Sequence, residues 1–244
     1  MDSQNLIGKT AVVTGSSRGI GRAIAKRLAE NGAAVTINYR NDAVAAEELV
    51  ARIVASGGLA QAVQGDMAKI DDIQRLFDKA EIAFGPIDIA VANAGIAILK
   101  PVIDCTEEDF DKLFSANTRG AFFTLKEAAK RLRDGGRIVA ISSGGTRMFL
   151  SDTSLYLGSK GAVEQFVRAL SRELGSRGIT VNAVLPGFTN TDMLPEQARA
   201  IAADMSPLAR VGETDDIADI VAFLASERAR WVTGQNIGAG GGVM

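Results

Sequence analysis

The feature that most constrains the fold is a strand–turn–helix unit near the start of the chain. Lys9-Thr10-Ala11-Val12-Val13-Thr14 reads as a short buried strand. Gly15-Ser16-Ser17-Arg18-Gly19-Ile20-Gly21 follows as a glycine-rich turn, and residues 22–31 have helical periodicity through Ile24 and Leu28. Such a turn presents free backbone N–H groups and the positive end of a helix to a phosphate. Its glycines allow φ > 0 and close approach of the backbone to a ligand. The spacing is Gly-x-x-x-Gly-x-Gly, not the Gly-x-Gly-x-x-Gly of the commonest dinucleotide fingerprint.

The rest of the chain repeats the alternation. Further strands are predicted at residues 33–38, 59–64, 87–91, 137–141, 179–185 and 235–237. Helices are predicted at 43–56, 73–84, 110–132, 154–174 and 214–225, with another start after the N-cap residue Thr106. Residues 188–211 read as irregular or weakly helical, a segment placed to cover a substrate. Strands alternating with helices predict one α/β domain over residues 1–244, a doubly wound Rossmann-type fold. Its seven-stranded parallel sheet carries helices on both faces. With 244 residues, 47% of them hydrophobic, one large core is available. Ligands in such sheets bind at the carboxyl ends of strands. Gly15 to Gly21, Arg40, Asp66, Asn93, Ser143 and Pro186 all follow predicted strand ends, so they converge on one edge.

Composition narrows the chemistry. There is no histidine, which excludes Ser-His-Asp and Cys-His mechanisms and removes the usual zinc ligand set. Cys105 is the single cysteine, so no intrachain disulfide forms; that suits a reducing, cytoplasmic compartment. A net charge of −2 argues against nucleic acid, and no apolar run approaches the roughly 20 residues that span a membrane. Met1-Asp2-Ser3-Gln4-Asn5 is polar and predicts no signal peptide. Proton chemistry must then come from Tyr, Lys, Asp, Glu, Ser or water, and the only tyrosines are Tyr39 and Tyr156.

Tyr156 and Lys160 are four apart on one predicted helix, so they share a face about one turn from each other. Lowering a phenol from its usual pKa of about 10 to about 7 needs roughly 4 kcal/mol of preference for the phenolate. One cation at about 4 Å supplies that at an effective dielectric of about 20. The pair therefore predicts a tyrosine that exchanges a proton near neutral pH; a chance pairing on a helix surface is the competing reading. At the end of the second strand, Asn38-Tyr39-Arg40-Asn41 offers no acid before Asp42. An acid there favours NAD, and a basic residue accommodates the 2′-phosphate of NADP. Arg40, with Arg18 from the glycine turn, predicts NADP(H); NAD(H) is the alternative if Arg40 is only a solvated loop residue. Two readings are open for Asp66, an adenine contact or a helix cap. Two are open for Asn117, a satisfied core amide or a link in a hydrogen-bond relay.

The constellation resembles the short-chain dehydrogenase/reductase family over essentially the whole chain. Thr14-Gly15-x-x-x-Gly19-x-Gly21, Asn93-Ala94-Gly95, Asn117, Ser143, Tyr156-x-x-x-Lys160 and Pro186-Gly187 fall in that family's order and spacing. The resemblance implies that Tyr156 is the general acid for carbonyl reduction. It implies that Lys160 lowers the Tyr156 pKa and binds the nicotinamide ribose, that Ser143 rather than Ser142 polarises the substrate oxygen, and that Asn117 supports a proton relay. It also implies cofactor contacts from Gly15, Ser17, Arg18, Gly19, Ile20, Gly21, Tyr39, Arg40, Asp66, Met67, Asn93, Ala94, Gly95, Pro186, Gly187 and Thr189, and no metal. The branch it is most like is the 3-oxoacyl-[acyl-carrier-protein] reductases. The implied activity is NADPH-dependent reduction of a ketone or 3-oxoacyl carbonyl. The alternatives are an NAD-dependent secondary-alcohol dehydrogenase and a non-catalytic dinucleotide sensor. Met148, Phe149, Leu150, Leu155, Met193 and Leu194 would crowd the entrance and suit an apolar substrate, or simply cover the core. A homotetramer joined through helices 110–132 and 154–174 is expected. The tail Gly238 to Gly242 departs from the family, which often carries an aspartate before paired glycines.

Overall fold

Successive side chains on a strand face opposite sides of the sheet, and here both sides are apolar. In the computed structural model, Ala11 and Val13 belong to one buried cluster and Val12 to the other; Val91 and Ala90, and Val139 and Ile138, divide the same way. That pattern requires helices on both faces. The structure describes residues 6–244; Met1 to Asn5, and the signal-peptide expectation resting on them, lie outside the described residues.

The elements in order are β1 (Thr10–Val13), α1 (Gly19–Glu30), β2 (Ala34–Tyr39), α2 (Ala43–Ala55), β3 (Ala60–Gln64), α3 (Ile70–Phe84) and β4 (Ile89–Ala92). Then come α4 (Glu107–Phe114), α5 (Gly120–Arg131), β5 (Arg137–Ile141), α6 (Ser154–Glu173), β6 (Thr180–Pro186), α7 (Arg199–Met205), α8 (Thr214–Ala225) and β7 (Asn236–Ala239). The seven strands form one sheet in the order β3-β2-β1-β4-β5-β6-β7, every pair parallel. Helices α1, α2 and α8 bury Ile24, Leu28, Leu49, Ile53, Ile217 and Val221 on one face. Helices α3, α5 and α6 bury Ile73, Phe77, Leu125, Val163 and Val167 on the other. The strand order reverses direction at β1 and β4, which opens a crevice at their carboxyl ends.

Two expectations need correction. The predicted helix over 110–132 is not one α-helix. It starts earlier, at Glu107, where Thr106 and Asp109 form a reciprocal capping box, and a π turn at Ser115–Arg119 separates α4 from α5. It also ends at Arg131, before Gly135 turns the chain at φ +78°. The fourth strand is Ile89–Ala92; Asp88 just before it still bonds both neighbouring strands through its backbone, to Thr10 O and from Arg137 N, while its carboxylate accepts from Thr10 N, Lys9 and Arg133. By contrast, segment 188–211 agrees with the irregular or weakly helical expectation: its helicity is confined to α7 and a short 3₁₀ turn at Glu196–Ala198. The glycine-rich tail has a packing reason: Val243 and Met244 fold back onto Gly187, Gly144 and Gly240, where a Cβ would have no room.

Candidate active site

The glycine turn is braced from two sides. Gly15 N donates to Asn38 Oδ1 at 2.9 Å, while Asn38 Nδ2 reaches Gly65 O at 3.0 Å, so one buried amide ties the end of β1 to the end of β3. From the other side, Asn93 Nδ2 donates to Thr14 O and Gly15 O, and Thr14 Oγ1 accepts from the backbone of Asn93 and Ala94. Gly15 and Gly19 have φ of +61° and +55°. A Cβ on Gly15 would lie 2.8 Å from Ala94 Cα, and one on Gly21 would fall on Asn93 Nδ2 and Gly15 O. Helix α1 begins with no side-chain cap and no acid in its first turn, whereas Asp42 caps α2 and Thr106 caps α4. Unmet N–H groups, a positive helix end and a cradle free of Cβ atoms fit the phosphates of a dinucleotide. Buried Ser17 and half-buried Ile20 complete the turn.

Tyr39 is half-buried at the end of β2, and Arg40 beside it is exposed, its side chain making no hydrogen bond among the described residues. Arg18 is also exposed and lies 3.4 Å from Asp192. Asp66 does not cap α3, whose N-cap is Lys69; its carboxylate accepts from Ala68 N at 3.0 Å. Its backbone N–H donates to Asp72, which holds the Asp72 carboxyl below the usual range. Met67 is buried beneath α5, its carbonyl touching the place where a Cβ on Gly120 would be. Pro186 ends β6. Gly187 faces the tail, where its Cβ would meet Gly240, and Thr189 is buried with its hydroxyl donating to Gly187 O.

The proton-bearing groups meet on the other side of the crevice. Helix α6 carries Tyr156 and Lys160 one turn apart, and the end of β5 delivers Ser143, whose hydroxyl is near enough to the Tyr156 phenol to act on its pKa. Ser142 points away, its Oγ 2.8 Å from Glu164 on α6. Asn117 sits in the π turn and is a satisfied core amide: it accepts from Ile96 N and donates to Ile96 O and to Ser159 Oγ. A π turn is a common device for aiming one helix residue at a site. Gly95 lies between Asn117 and Lys160; a Cβ there would be 3.1 Å from Asn117 Oδ1 and 3.3 Å from Lys160 Nζ.

The electrostatics differ from the sequence expectation. Burial pushes the Tyr156 phenol above its usual pKa, and the nearby Ser143 hydroxyl only partly opposes it. Lys160 does not lower it. Its Nζ is turned onto the Ile141 carbonyl at 2.9 Å, and burial brings its own pKa down to about 8. Desolvation sets the direction of both shifts.

Sequence reasoning overlooked the hydrogen-bonding role of Asn38, whose only signal is a polar residue inside an apolar strand. It also missed Ser159, the hydroxyl under Asn117, and Thr191, which lies 3.6 Å from the position of a Cβ on Gly19 and so covers the start of α1. Nothing in the local sequence marks Thr191.

A family model described as Enoyl-(Acyl carrier protein) reductase matches residues 15–244. Versicolorin reductase of Emericella nidulans is 43% identical, over 99% of this chain and 97% of its own. The chain belongs to the short-chain dehydrogenase/reductase family. Among solved structures of the family, a short-chain dehydrogenase from Burkholderia cenocepacia in complex with NADP is 41% identical at a TM-score of 0.95, covering 98% of this chain and 99% of that one. The angucycline C-6 ketoreductase LanV with bound NADP is 42% identical at 0.93, covering 98% and 96%. This member of the family keeps the family's single doubly wound domain and is an oxidoreductase. No described helix is long and apolar enough to cross a membrane.

Proposed function

We propose that this oxidoreductase reduces a ketone or 3-oxoacyl-type carbonyl to a secondary alcohol with NADPH. The observation that carries the reading is the Ser143–Tyr156 hydroxyl pair beside buried Lys160, facing a glycine cradle across one crevice. Bound NADPH supplies the hydride. The Ser143 hydroxyl holds the substrate oxygen, and the Tyr156 Oη gives it a proton. The phenol carries that proton at neutral pH, so it is in the donor form that reduction uses. Lys160, with a pKa near 8, changes protonation close to neutral pH and passes a proton back toward Tyr156. Asn117 fixes Gly95 and Ile96 against Lys160. Arg18 and Arg40 receive the 2′-phosphate; Tyr39, Asp66 and Met67 flank the adenosine half; Thr189 meets the nicotinamide end. Two solved relatives are complexes with NADP, and one of them is a ketoreductase.

Residues 188–211 cover the substrate. Exposed Phe149, Met193 and Met205 around the crevice support an apolar one. Phe110 stacks on Phe114 and Phe122 meets Phe166 edge-on, with Phe110 and Phe122 nearly half exposed, which supports self-association into a tetramer through α4, α5 and α6.

The test is steady-state reduction of a panel of ketones and 3-oxoesters with NADPH and with NADH, alongside Tyr156→Phe. The expected result is turnover with NADPH and its loss by at least about 100-fold in Tyr156→Phe, with NADPH binding retained. Preference for NADH overturns the cofactor assignment, and unchanged turnover in Tyr156→Phe overturns the mechanism.

A further inference from the structure

Helix α6 carries a third polar residue in register with Tyr156 and Lys160. Glu164 lies one further turn along the same face and is 8% exposed. Among the described residues no cation pairs with it. Instead its carboxylate collects three neutral donors. Oε1 is 2.8 Å from Ser142 Oγ and 2.7 Å from Thr146 Oγ1; Oε2 accepts from Asn236 Nδ2 at 3.1 Å. A buried carboxylate without a counter-charge is costly unless its oxygens are well hydrogen-bonded, so this arrangement is specific.

The donors are informative because of where they sit. Ser142 and Thr146 bracket Ser143, one residue before and three after it. The Thr146 hydroxyl hydrogen is shared with the Ser143 carbonyl, 2.8 Å away. Ser143 Oγ in turn accepts from Gly145 N within the same short turn. Asn236 belongs to β7, and its backbone carbonyl holds Arg147, at the end of that turn. One carboxylate thus ties both ends of the serine turn to the helix that bears Tyr156.

We propose that Glu164 is a positioning residue that sets the separation and aim of the Ser143 and Tyr156 hydroxyls, a role that rests on the reductase reading above. The Ser143 turn is held to β6 through Ser142 N–H···O=C of Val184. Past Ser142 the turn is otherwise tethered, among the described residues, only at its far end, by Arg147 on the Asn236 carbonyl, and the Ser142 hydroxyl also reaches the Lys160 carbonyl at 3.2 Å. The Glu164 contacts hold the turn between those tethers.

The test compares wild type, Glu164→Ala, Glu164→Gln, and the pair Ser142→Ala/Thr146→Val in the presence and absence of Glu164→Ala. Loss of alignment is expected to lower kcat by roughly 10- to 100-fold in Glu164→Ala with little change in NADPH Kd, since displacement of about 1 Å costs on that scale. Glu164→Gln should recover most of that loss. Its carbonyl oxygen still accepts both hydroxyls, and once the Asn236 amide flips, its NH2 donates to Asn236 Oδ1, a buried atom without a partner among the described residues. The hydroxyl pair should lose kcat to a similar extent, and adding Glu164→Ala to it should cost little more. If Glu164→Ala fails to fold, the hydroxyl pair carries the test. Unchanged kcat in a folded Glu164→Ala protein overturns the proposal, as does additivity with the hydroxyl pair, or Glu164→Gln as impaired as alanine. Absence of carbonyl reduction in wild type defeats the reductase reading instead; a wild-type rate with no Glu164 effect defeats only this inference.

Discussion

Replacing Lys160 with methionine should make the cofactor-free protein more stable at neutral pH while abolishing turnover. Burial brings the Lys160 pKa from 10.5 to about 8 in the folded chain. A lysine whose folded pKa is depressed costs stability wherever the unfolded chain still binds the proton. The cost is full below about pH 8 and fades as pH rises from there towards 10.5. A difference of about 2.5 units corresponds to about 3 kcal/mol at pH 7. Methionine has a similar length and no charge, so it removes that cost, but it leaves the Ile141 carbonyl without the Nζ donor, worth about 1 kcal/mol. The net expectation is about 2 kcal/mol greater stability at pH 7 and about zero by pH 9.5, where about half of the burial cost remains. Urea unfolding of wild type and Lys160→Met across that range measures it, because every other titrating group cancels in the comparison. An equal or lower stability for Lys160→Met at pH 7 would refute the reasoning, and so would a difference that does not shrink as pH rises. In the same assay, NADPH should narrow the gap at pH 7, since the ligand stabilises the wild-type site that Lys160 completes.

Gly21→Ala should destabilise the protein by about 2 kcal/mol and weaken NADPH binding at least tenfold, because the new Cβ falls on Asn93 Nδ2 and Gly15 O; thermal unfolding and fluorescence titration read the two effects. Asn38→Ala should cost about 2–3 kcal/mol, since it strips Gly15 N and Gly65 O of buried partners. Urea unfolding checks that value, and a loss below about 0.5 kcal/mol would show that water replaces the amide.

The sheet was legible because its signals are local. Each strand is a short apolar run between turns, each helix has a periodic face, and strict alternation leaves only parallel connections. The residues later found around the crevice were legible for a topological reason: in a parallel sheet every strand's carboxyl end lies on the same edge, so motifs far apart in sequence must meet there. Thus Gly15, Asn93, Ser143 and Tyr156 could be brought to one place without coordinates. The break in the helix at Asn117 was not legible, because a π turn is set by what its amide must reach, the backbone of Ile96 and the Ser159 hydroxyl. Helix α7 was legible only as weak helicity within 188–211, because it is short and buries a single residue, Ala202.

The sequence by itself determined the inventory of the chemistry: no histidine, two tyrosines, and a phenol and an amine one helical turn apart. Only the tertiary structure decided how those groups are charged. Spacing along a helix fixes which side chains are neighbours, but a pKa depends on the water removed around them and on the direction of each polar atom. Burial raises the pKa of Tyr156 and lowers that of Lys160, whose Nζ donates to the Ile141 carbonyl, so the directions follow from desolvation rather than from the spacing, while the same residues share the same crevice. The serine that faces Tyr156 is likewise distinguished from its neighbour by a contact no linear reading contains, the hold of Glu164 on Ser142.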